Sequence, residues 1–422
     1  MTIATEGQAY IQTMIDILEK MLAHRRARPT VKSDELYYEL LSKYYRQINR
    51  AREEEKFVMG HTVMAPIELF FAMDIVPLHL ESTASTMAIL LNRYGEFLDT
   101  ARAYGLAPET CSAHRILTAG FIQQVLPRPD LILWTSQACD NTAKAGDALM
   151  EIYEAPGFFL DRPYRFIDRH VDYYRRQLAE LVTLLEERTG QKLDLDKLRE
   201  VVRNSLQVLN LYREIYQLRK AVPAPMRNRT LMNQLIIEWT YCGKPEGIKF
   251  FETVRDEVKE NVQAGRGSVA YERHRILSLF LPPFYEYKLL DWMEREYGAS
   301  IVMDPMSSWP MKIEVDPEGD PLEAVARITF YRVGSRLMHG PGDVFVEDCL
   351  NNAREFKADG ALYFAHIGCR QACALIKNIK DTLAQELGLQ TAVIDMDLMD
   401  PSFSSSDEIR NKLEEFFEML ED

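Results

Sequence analysis

The sequence predicts an α/β protein in which two α/β units are joined by a long helical connection. Short apolar runs alternate with helical patterns on both sides of residues 166–270, whose own pattern is almost wholly helical. Such runs, bounded by Pro, Gly and Asp, are typical of buried strands in a mostly parallel sheet covered by helices. A chain of 422 residues is also long for one hydrophobic core. We therefore divide it into a helical segment (1–60), a first α/β domain (61–165), a helical connecting region (166–270) and a second α/β domain (271–422).

Two helices are predicted within the N-terminal segment. Apolar side chains recur at helical spacing in two series, and the second series follows a Ser33–Asp34 start signal. The two series are Ile11, Met14, Ile15, Leu18, Met21 and Leu22, then Leu36, Leu40, Tyr44 and Ile48. We expect these helices to serve as scaffold that packs on a larger core.

The first α/β unit is indicated by a short helix over 66–72 and strands over 75–78 and 131–134. In the connecting region, the clearest helix is expected to begin near Asp194 or Asp196. The second unit is the most regular. Its strands are predicted at 276–281, 299–303, 361–364 and 391–395, and its helices at 285–297, 373–387 and, after a Ser405–Glu408 capping box, to the C-terminus.

Composition excludes several classes of protein. The chain is 47% apolar and 27% charged, as in ordinary globular proteins, and no apolar run is long enough to span a membrane. Its net charge of −14 argues against a nucleic-acid partner, because phosphate binding requires basic surface. The first residues lack the features of a signal peptide, so a cytoplasmic location with reduced thiols is expected.

The six cysteines are the main candidates for chemistry. Phosphate-loop, dinucleotide-binding, zinc-protease and serine-hydrolase motifs are missing from the sequence, as are paired Cys-x2-Cys units. Four cysteines are expected at junctions between the end of a strand and the helix that follows it, which is where α/β proteins place their binding and catalytic sites. They are Cys111, Cys139, Cys369 and Cys373, while Cys242 ends an apolar helix and Cys349 lies on the helix after Gly340-Pro341-Gly342. Thiols in this arrangement indicate a soft-metal centre, although any single buried cysteine can also be an apolar filler.

Several segments carry a resemblance to a known family. They are Glu109-x-Cys111-Ser112-x-x-Arg115, the Cys139-Asp140 loop, Gly368-Cys369-Arg370-Gln371, Pro66-x-Glu68-Leu69 and the stretch from Ile394-Asp395-x-Asp397 to Glu408-Ile409-Arg410. Over residues 60–422 the chain resembles the 2-hydroxyacyl-CoA dehydratase and benzoyl-CoA reductase superfamily. The resemblance implies two Rossmann-like parallel-sheet domains with an iron–sulfur cluster between them. It also implies single-electron delivery by a separate ATP-hydrolysing iron–sulfur activator.

Within this superfamily, the number and placement of its six cysteines make the chain most similar to the double-cubane cluster proteins. That resemblance implies an [8Fe-9S]-type cluster, a homodimer and an oxygen-sensitive reductase of small unsaturated molecules. Its ligands would be Cys111, Cys139, Cys369, Cys373, Cys349 and Cys242. One alternative is a subunit of a dehydratase or benzoyl-CoA reductase with a single [4Fe-4S] cluster and a heteromeric partner. Another is a non-catalytic electron-transfer protein.

Proton donors are harder to assign from the sequence. Histidine can donate protons near neutral pH, and His366, His339 and His61 lie near the cysteine-bearing or family-like segments. Glu68 and Glu109 are further candidates, although each of these residues can equally have a structural role. Arg370 is a candidate for tuning a cluster through its positive charge.

Overall fold

A computed structural model describes residues 4–137, 139–304, 314–332, 334–335 and 339–421. It confirms the predicted fold class, because the chain forms two four-stranded parallel sheets surrounded by helices. The strand order is β2-β1-β3-β4 in the first sheet and β6-β5-β7-β8 in the second. Strand bounds are β1 Val58–His61, β2 Val76–His79, β3 Leu131–Thr135, β4 Gly157–Leu160, β5 His274–Leu279, β6 Ala299–Met303, β7 Gly360–His366 and β8 Gln390–Met396.

The N-terminal segment forms two antiparallel helices, α1 (Ala4–Ala27) and α2 (Lys32–Arg50), as predicted. Their apolar stripes are buried against each other and against the first sheet. The hydroxyl oxygen of Tyr44 accepts a hydrogen bond from the amide of His79 at 2.8 Å, which attaches α2 to the end of β2. This helical hairpin is therefore an integral part of the fold.

Helices follow the strands of the first sheet and form the connecting region. Around the first sheet they are α3 (Ile67–Ala72), α4 (Leu80–Leu91), α5 (Tyr94–Tyr104), α6 (Ser112–Ile122) and α7 (Asp140–Tyr153). The connecting helices are α8 (Asp168–Thr189), α9 (Leu195–Leu218), α10 (Asn228–Tyr241) and α11 (Pro245–Gln263). Asp194 caps α9, since its carboxylate accepts from the amides of Asp196 and Lys197, which confirms the predicted start.

The second sheet carries α12 (Leu289–Tyr297), α13 (Pro321–Phe330), α14 (Gly342–Glu355), α15 (Arg370–Ala374), α16 (Ile376–Leu387) and α17 (Ser406–Glu421). The predicted capping box is present, because the amide of Ser405 donates to Glu408 and the amide of Glu408 donates to the Ser405 hydroxyl. The prediction of a single helix over 285–297 is wrong at the start of that range. A 3-10 turn comes first, and the Phe284 amide donates to the Leu398 carbonyl at 2.8 Å, outside the helix.

Two strands of the first sheet were not predicted. Strand β1 contains Gly60 and His61, which weaken any strand pattern, yet it pairs with both β2 and β3. Strand β4 has only four residues and lies at the sheet edge. Both strands are stabilised by their neighbours in the sheet more than by their own sequences.

Buried polar contacts join the two sheets and their helices. Arg115 on α6 pairs with Asp397 after β8 at 3.1 Å, and the Met399 amide donates to the Ser112 hydroxyl at 3.0 Å. The edges at which the strands end therefore face each other across one interface. None of the described helices is both long enough and apolar enough to cross a membrane.

Candidate functional site

A cavity of about 640 Å³ lies at this interface and is lined by three of the six cysteines. Cys139 comes from the first sheet, Cys369 from the second, and Cys111 from the helix layer of the first. Apolar side chains cover most of the remaining wall, in particular those of Leu235, Ile236 and Trp239 on α10. Residues that lie far apart in the sequence are thus brought together in a pocket whose surface is mostly apolar.

Each of the three thiols precedes the first turn of a helix. Cys139 follows β3 and is the N-cap of α7, and Cys369 follows β7 and is the N-cap of α15. Cys111 is the N-cap of α6. The free amides and the dipole at a helix N-terminus favour negative charge, so at each position the helix start opposes the effect of burial on the thiol.

Two of the predicted strand-to-helix placements are wrong. Cys111 follows the turn after α5, with the Thr110 amide bonded to the Ala107 carbonyl, so a helix and a turn precede it. Cys373 lies inside α15, one turn beyond Cys369. Position at a helix start, rather than at a strand end, is what the three cavity-lining thiols share.

His366 at the end of β7 contacts Cys111, with its Nε2 atom 3.3 Å from Sγ. The Leu398 amide donates to Nδ1 at 3.2 Å, so the neutral ring carries its proton on Nε2 and donates it to the sulfur. Burial opposes ionisation of Cys111, but the nearby His366 and His114 outweigh it and lower the pKa of this thiol to about 5. Cys111 is therefore a thiolate near neutral pH.

His114, on the first turn of α6, has a second charged neighbour. Its Nε2 lies 2.9 Å from Oε1 of Glu81, and both side chains are buried. Burial lowers the pKa of His114, but the thiols of Cys139 and Cys111 and the carboxylate of Glu81 raise it well above its usual value. A positive charge beside the thiols is the result.

The remaining two cavity thiols resist ionisation. The pKa of Cys139 is raised mainly by burial and also by the negative charge of Cys111. That of Cys369 is raised by burial and by Cys111, Cys139 and Cys373. Of the three thiols, Cys369 is buried and Cys111 and Cys139 are partly buried. A cation among them would offset the repulsion between their thiolates, and thiolate sulfur prefers soft metals. The donor set fits an iron–sulfur cluster.

Backbone contacts bring the loops that carry these thiols close together. At Gly368, a Cβ atom would lie 2.6 Å from Cα of Cys111, so only glycine allows this approach. The Asn141 side-chain amide donates to the Gly368 carbonyl at 3.3 Å. Among the described residues, no three His, Cys, Asp or Glu side chains are grouped around a single-ion site.

The other three cysteines do not line the cavity within the described chain. Cys373 donates its Sγ hydrogen to the His366 carbonyl at 3.2 Å, directly behind the site. Cys349 is buried on α14, where burial raises the pKa of its thiol well above its usual value. Cys242 is fully buried at the end of α10, where burial raises its pKa. The charged neighbours of Cys242 are Arg332, Glu68 and Glu238, which form a buried group separate from the cavity.

That separate group contains Glu68. Its Oε1 accepts from Arg332 at 2.7 Å and from Ser205 at 3.0 Å, and the residue is completely buried. Of the predicted proton donors, only His366 reaches the cavity wall. The other candidates lie away from the cavity wall. His61 is buried in β1, and His339 contacts the Arg162 carbonyl. Glu109 is exposed, and Arg370, the candidate for tuning a cluster, pairs with Asp140.

Sequence reasoning missed His114, Glu81 and a set of basic residues around the cavity. His114 could have been found from its position three residues after Cys111, on the same helical face. The basic residues come from different elements, so nothing in the sequence groups them. They are Arg25, Arg229, Lys288, Arg295 and Arg410, while the carboxylates that the described residues place on the wall are Glu81 and Asp291.

Most of the chain is similar in sequence to known proteins. Residues 62–420 match the family model described as 2-hydroxyglutaryl-CoA dehydratase, D-component. The chain is 23% identical to the (R)-2-hydroxyisocaproyl-CoA dehydratase alpha subunit of Clostridioides difficile, with 91% of this chain and 95% of the relative covered. It is 21% identical to the benzoyl-CoA reductase B subunit of Thauera aromatica, with 91% and 93% covered. It is 23% identical to the (R)-phenyllactyl-CoA dehydratase alpha subunit of Clostridium sporogenes, with 80% and 83% covered.

Proposed function

Since the chain belongs to the 2-hydroxyglutaryl-CoA dehydratase D-component family, we propose that it is an iron–sulfur subunit of an enzyme that dehydrates or reduces a CoA thioester. The observation that carries this proposal is the convergence of three cysteines from both halves of the chain on one apolar cavity. Relatives named as dehydratase alpha subunits and a reductase subunit support the same substrate class.

Cys111, Cys139 and Cys369 would hold the cluster. When bound, a three-thiolate cubane supplies low-potential single electrons and one iron without a protein ligand. The protein's own part is to bring the three thiols together in a mostly apolar cavity and to stabilise the Cys111 thiolate. The His366 proton on Nε2 faces the Cys111 sulfur, and protonated His114, which is paired with Glu81, lies beside the thiols. Hydrogen bonds and charges of this kind near the sulfurs tune a redox centre.

The wider cavity suits an organic ligand with an anionic group. The chain has a net charge of −14, yet the described part of the cavity wall carries five Arg or Lys residues and two carboxylates. Arg25 and Lys288 make no ion pair with any described residue, so both are available to a phosphate or carboxylate of the ligand. Apolar wall residues would hold the acyl part and exclude water from it.

The geometry favours one cubane over two. A second cubane would need three more thiolates facing the same space, and in the described chain Cys242, Cys349 and Cys373 lie outside the cavity wall. Cys242 lies beside Glu68 and Glu238, whose negative charges oppose its ionisation. We therefore propose the single-cluster hypothesis in place of the double-cubane one.

Two partners follow from the proposal. A different protein chain would complete the enzyme, because the relatives are themselves named as subunits. A separate ATP-hydrolysing iron–sulfur protein would supply the electrons, as the family resemblance implies.

Anaerobic purification with iron and sulfide analysis tests the cofactor. We expect about four irons per chain, whereas about eight would restore the double-cubane hypothesis and none would refute both. Equilibrium binding of 2-hydroxyacyl-CoA and aryl-CoA thioesters to the same sample tests the substrate class. Turnover after addition of the partner subunit and an ATP-driven electron donor then separates dehydration, which leaves no net change in electrons, from reduction.

A further inference from the structure

The α1–α2 hairpin forms part of the cavity wall, although it precedes the region that matches the family model. That match begins at residue 62, whereas α2 ends at Arg50. The hairpin residues on the wall are Leu18, Met21, Arg25, Tyr37, Tyr38 and Leu41. A segment outside the matched family region thus shapes the space in which the ligand would lie.

Helix α4 indicates how far this space extends from the thiols. Glu81 on its first turn contacts His114 beside Cys111, and Glu81, Ile89 and Leu90 all line the same cavity. At 1.5 Å per residue, Glu81 and Ile89 are about 12 Å apart along the helix axis. The cavity is therefore elongated, and α1, which packs against α4, contributes Leu18, Met21 and Arg25 to its wall.

The apolar stripe of α1 changes its role along the helix. Ile11, Met14 and Ile15 are completely or almost completely buried in the core. One turn further, Leu18 is buried at the cavity wall, and Met21, on the same face, lies at the wall with 37% of its surface exposed. The hydrophobic pattern that predicted a scaffold helix therefore continues into a ligand-facing surface.

Helix α2 holds this wall rigidly in place. The Asn233 side chain on α10 donates to Asp34 at 3.0 Å, and the Tyr241 hydroxyl donates to the Leu40 carbonyl at 2.9 Å. Both bonds are buried, as is the bond from His79 to Tyr44. A wall fixed by buried hydrogen bonds can discriminate between ligands by shape, because it does not yield to accommodate them.

We propose that the α1–α2 hairpin selects the substrate, an inference that rests on the proposed function. In this proposal Leu18 and Met21 set the length of the acyl group that the cavity accepts. Leu18 limits the buried part of the space. Met21 limits it where the wall reaches solvent. Arg25, one turn beyond Met21 and 5.8 Å above the Tyr38 ring, is positioned to meet the anionic part of the same ligand.

The test compares Leu18→Ala, Met21→Trp and Leu22→Ala with the wild-type protein. Leu22 is the matched control, since it neighbours Met21 on α1 and is partly buried but does not line the cavity. Binding is measured anaerobically for saturated acyl-CoA thioesters of increasing chain length. We expect Leu18→Ala to move the optimum to longer chains and Met21→Trp to shorter ones, each changing the ratio of affinities about tenfold, and Leu22→Ala to change nothing.

The two proposals fail in different ways. If wild-type protein binds no thioester of any length, the proposed substrate class is wrong, and so is the proposal that the hairpin selects the substrate. If wild-type protein binds thioesters but the order of preference is the same in all variants, only the hairpin's role is refuted. Met21→Trp keeps the test valid if Leu18→Ala unfolds, because Met21 is partly exposed and a larger side chain there fills cavity space.

Discussion

Nε2 of His366 lies 3.3 Å from Sγ of Cys111, although the two residues are 255 positions apart in the chain. His366 is the last residue of β7 in the second sheet, and Cys111 is the N-cap of α6 beside the first sheet. Their contact exists only when the two halves of the chain are closed on each other. The proposed cluster site and the interdomain interface are therefore one structure.

His366→Ala removes the proton that faces Cys111 and leaves the three proposed ligands intact. We expect the variant to bind iron but to lose it to a chelator faster, with an apparent metal affinity lowered about 10- to 100-fold, as for other residues that orient metal ligands. His339→Ala is the control, because His339 contacts the Arg162 carbonyl and does not reach the cavity wall. Equal rates of iron loss in both variants would contradict the role assigned to His366.

Serine substitutions divide the six cysteines into two groups. Cys111→Ser, Cys139→Ser and Cys369→Ser should each lose most of the bound iron, since a three-thiolate cluster tolerates the loss of a ligand poorly. Cys242→Ser, Cys349→Ser and Cys373→Ser should keep the wild-type iron content, because these residues lie off the cavity wall. Anaerobic iron and sulfide analysis provides the measurement. Loss of half the iron in the second group would instead favour two cubanes.

Gly368→Ala tests the close approach of the two halves. The added Cβ would meet Cα of Cys111 at 2.6 Å and its amide nitrogen at 2.8 Å, so the loops must separate. We expect the variant to fold, as judged by circular dichroism, but to hold little iron. Gly95→Ala, where nothing lies within 4 Å of the new Cβ, should match the wild type. Full iron content in Gly368→Ala would show that the loops can move apart without loss of the site.

Local sequence signals predicted the helix ends well and the site only in part. The Asp194 cap and the Ser405–Glu408 box depend on residues within three positions of each other, so pattern alone was enough. The His114–Glu81 pair and the position of Cys242 depend on how distant helices pack. A thiol at the end of an apolar helix looks the same in sequence whether that helix end faces a cavity or a buried charged group.

Glu238 gives a test of that buried group through the pH dependence of stability. Its carboxylate is 1% exposed and lies 3.6 Å from Arg332, which is already paired with Glu68 at 2.7 Å. Burial raises the pKa of Glu238 to about 7, with Arg332 opposing and Glu68 adding to the shift. Between the unfolded pKa of 4.5 and this value, the folded state keeps a proton that the unfolded state has lost. The free energy of unfolding therefore falls as pH rises through this range.

Glu238→Gln should remove this dependence. The wild-type protein is expected to lose on the order of 3 kcal/mol from this group between pH 4.5 and pH 7, and the variant to lose correspondingly less. Urea denaturation across this range measures the difference, with Glu187→Gln on the exposed face of α8 as a control for removal of one charge. Parallel pH profiles for the wild type and Glu238→Gln would mean that Arg332 neutralises both carboxylates equally. The charged residues around Cys242 would then stay ionised throughout, rather than share a proton near neutral pH.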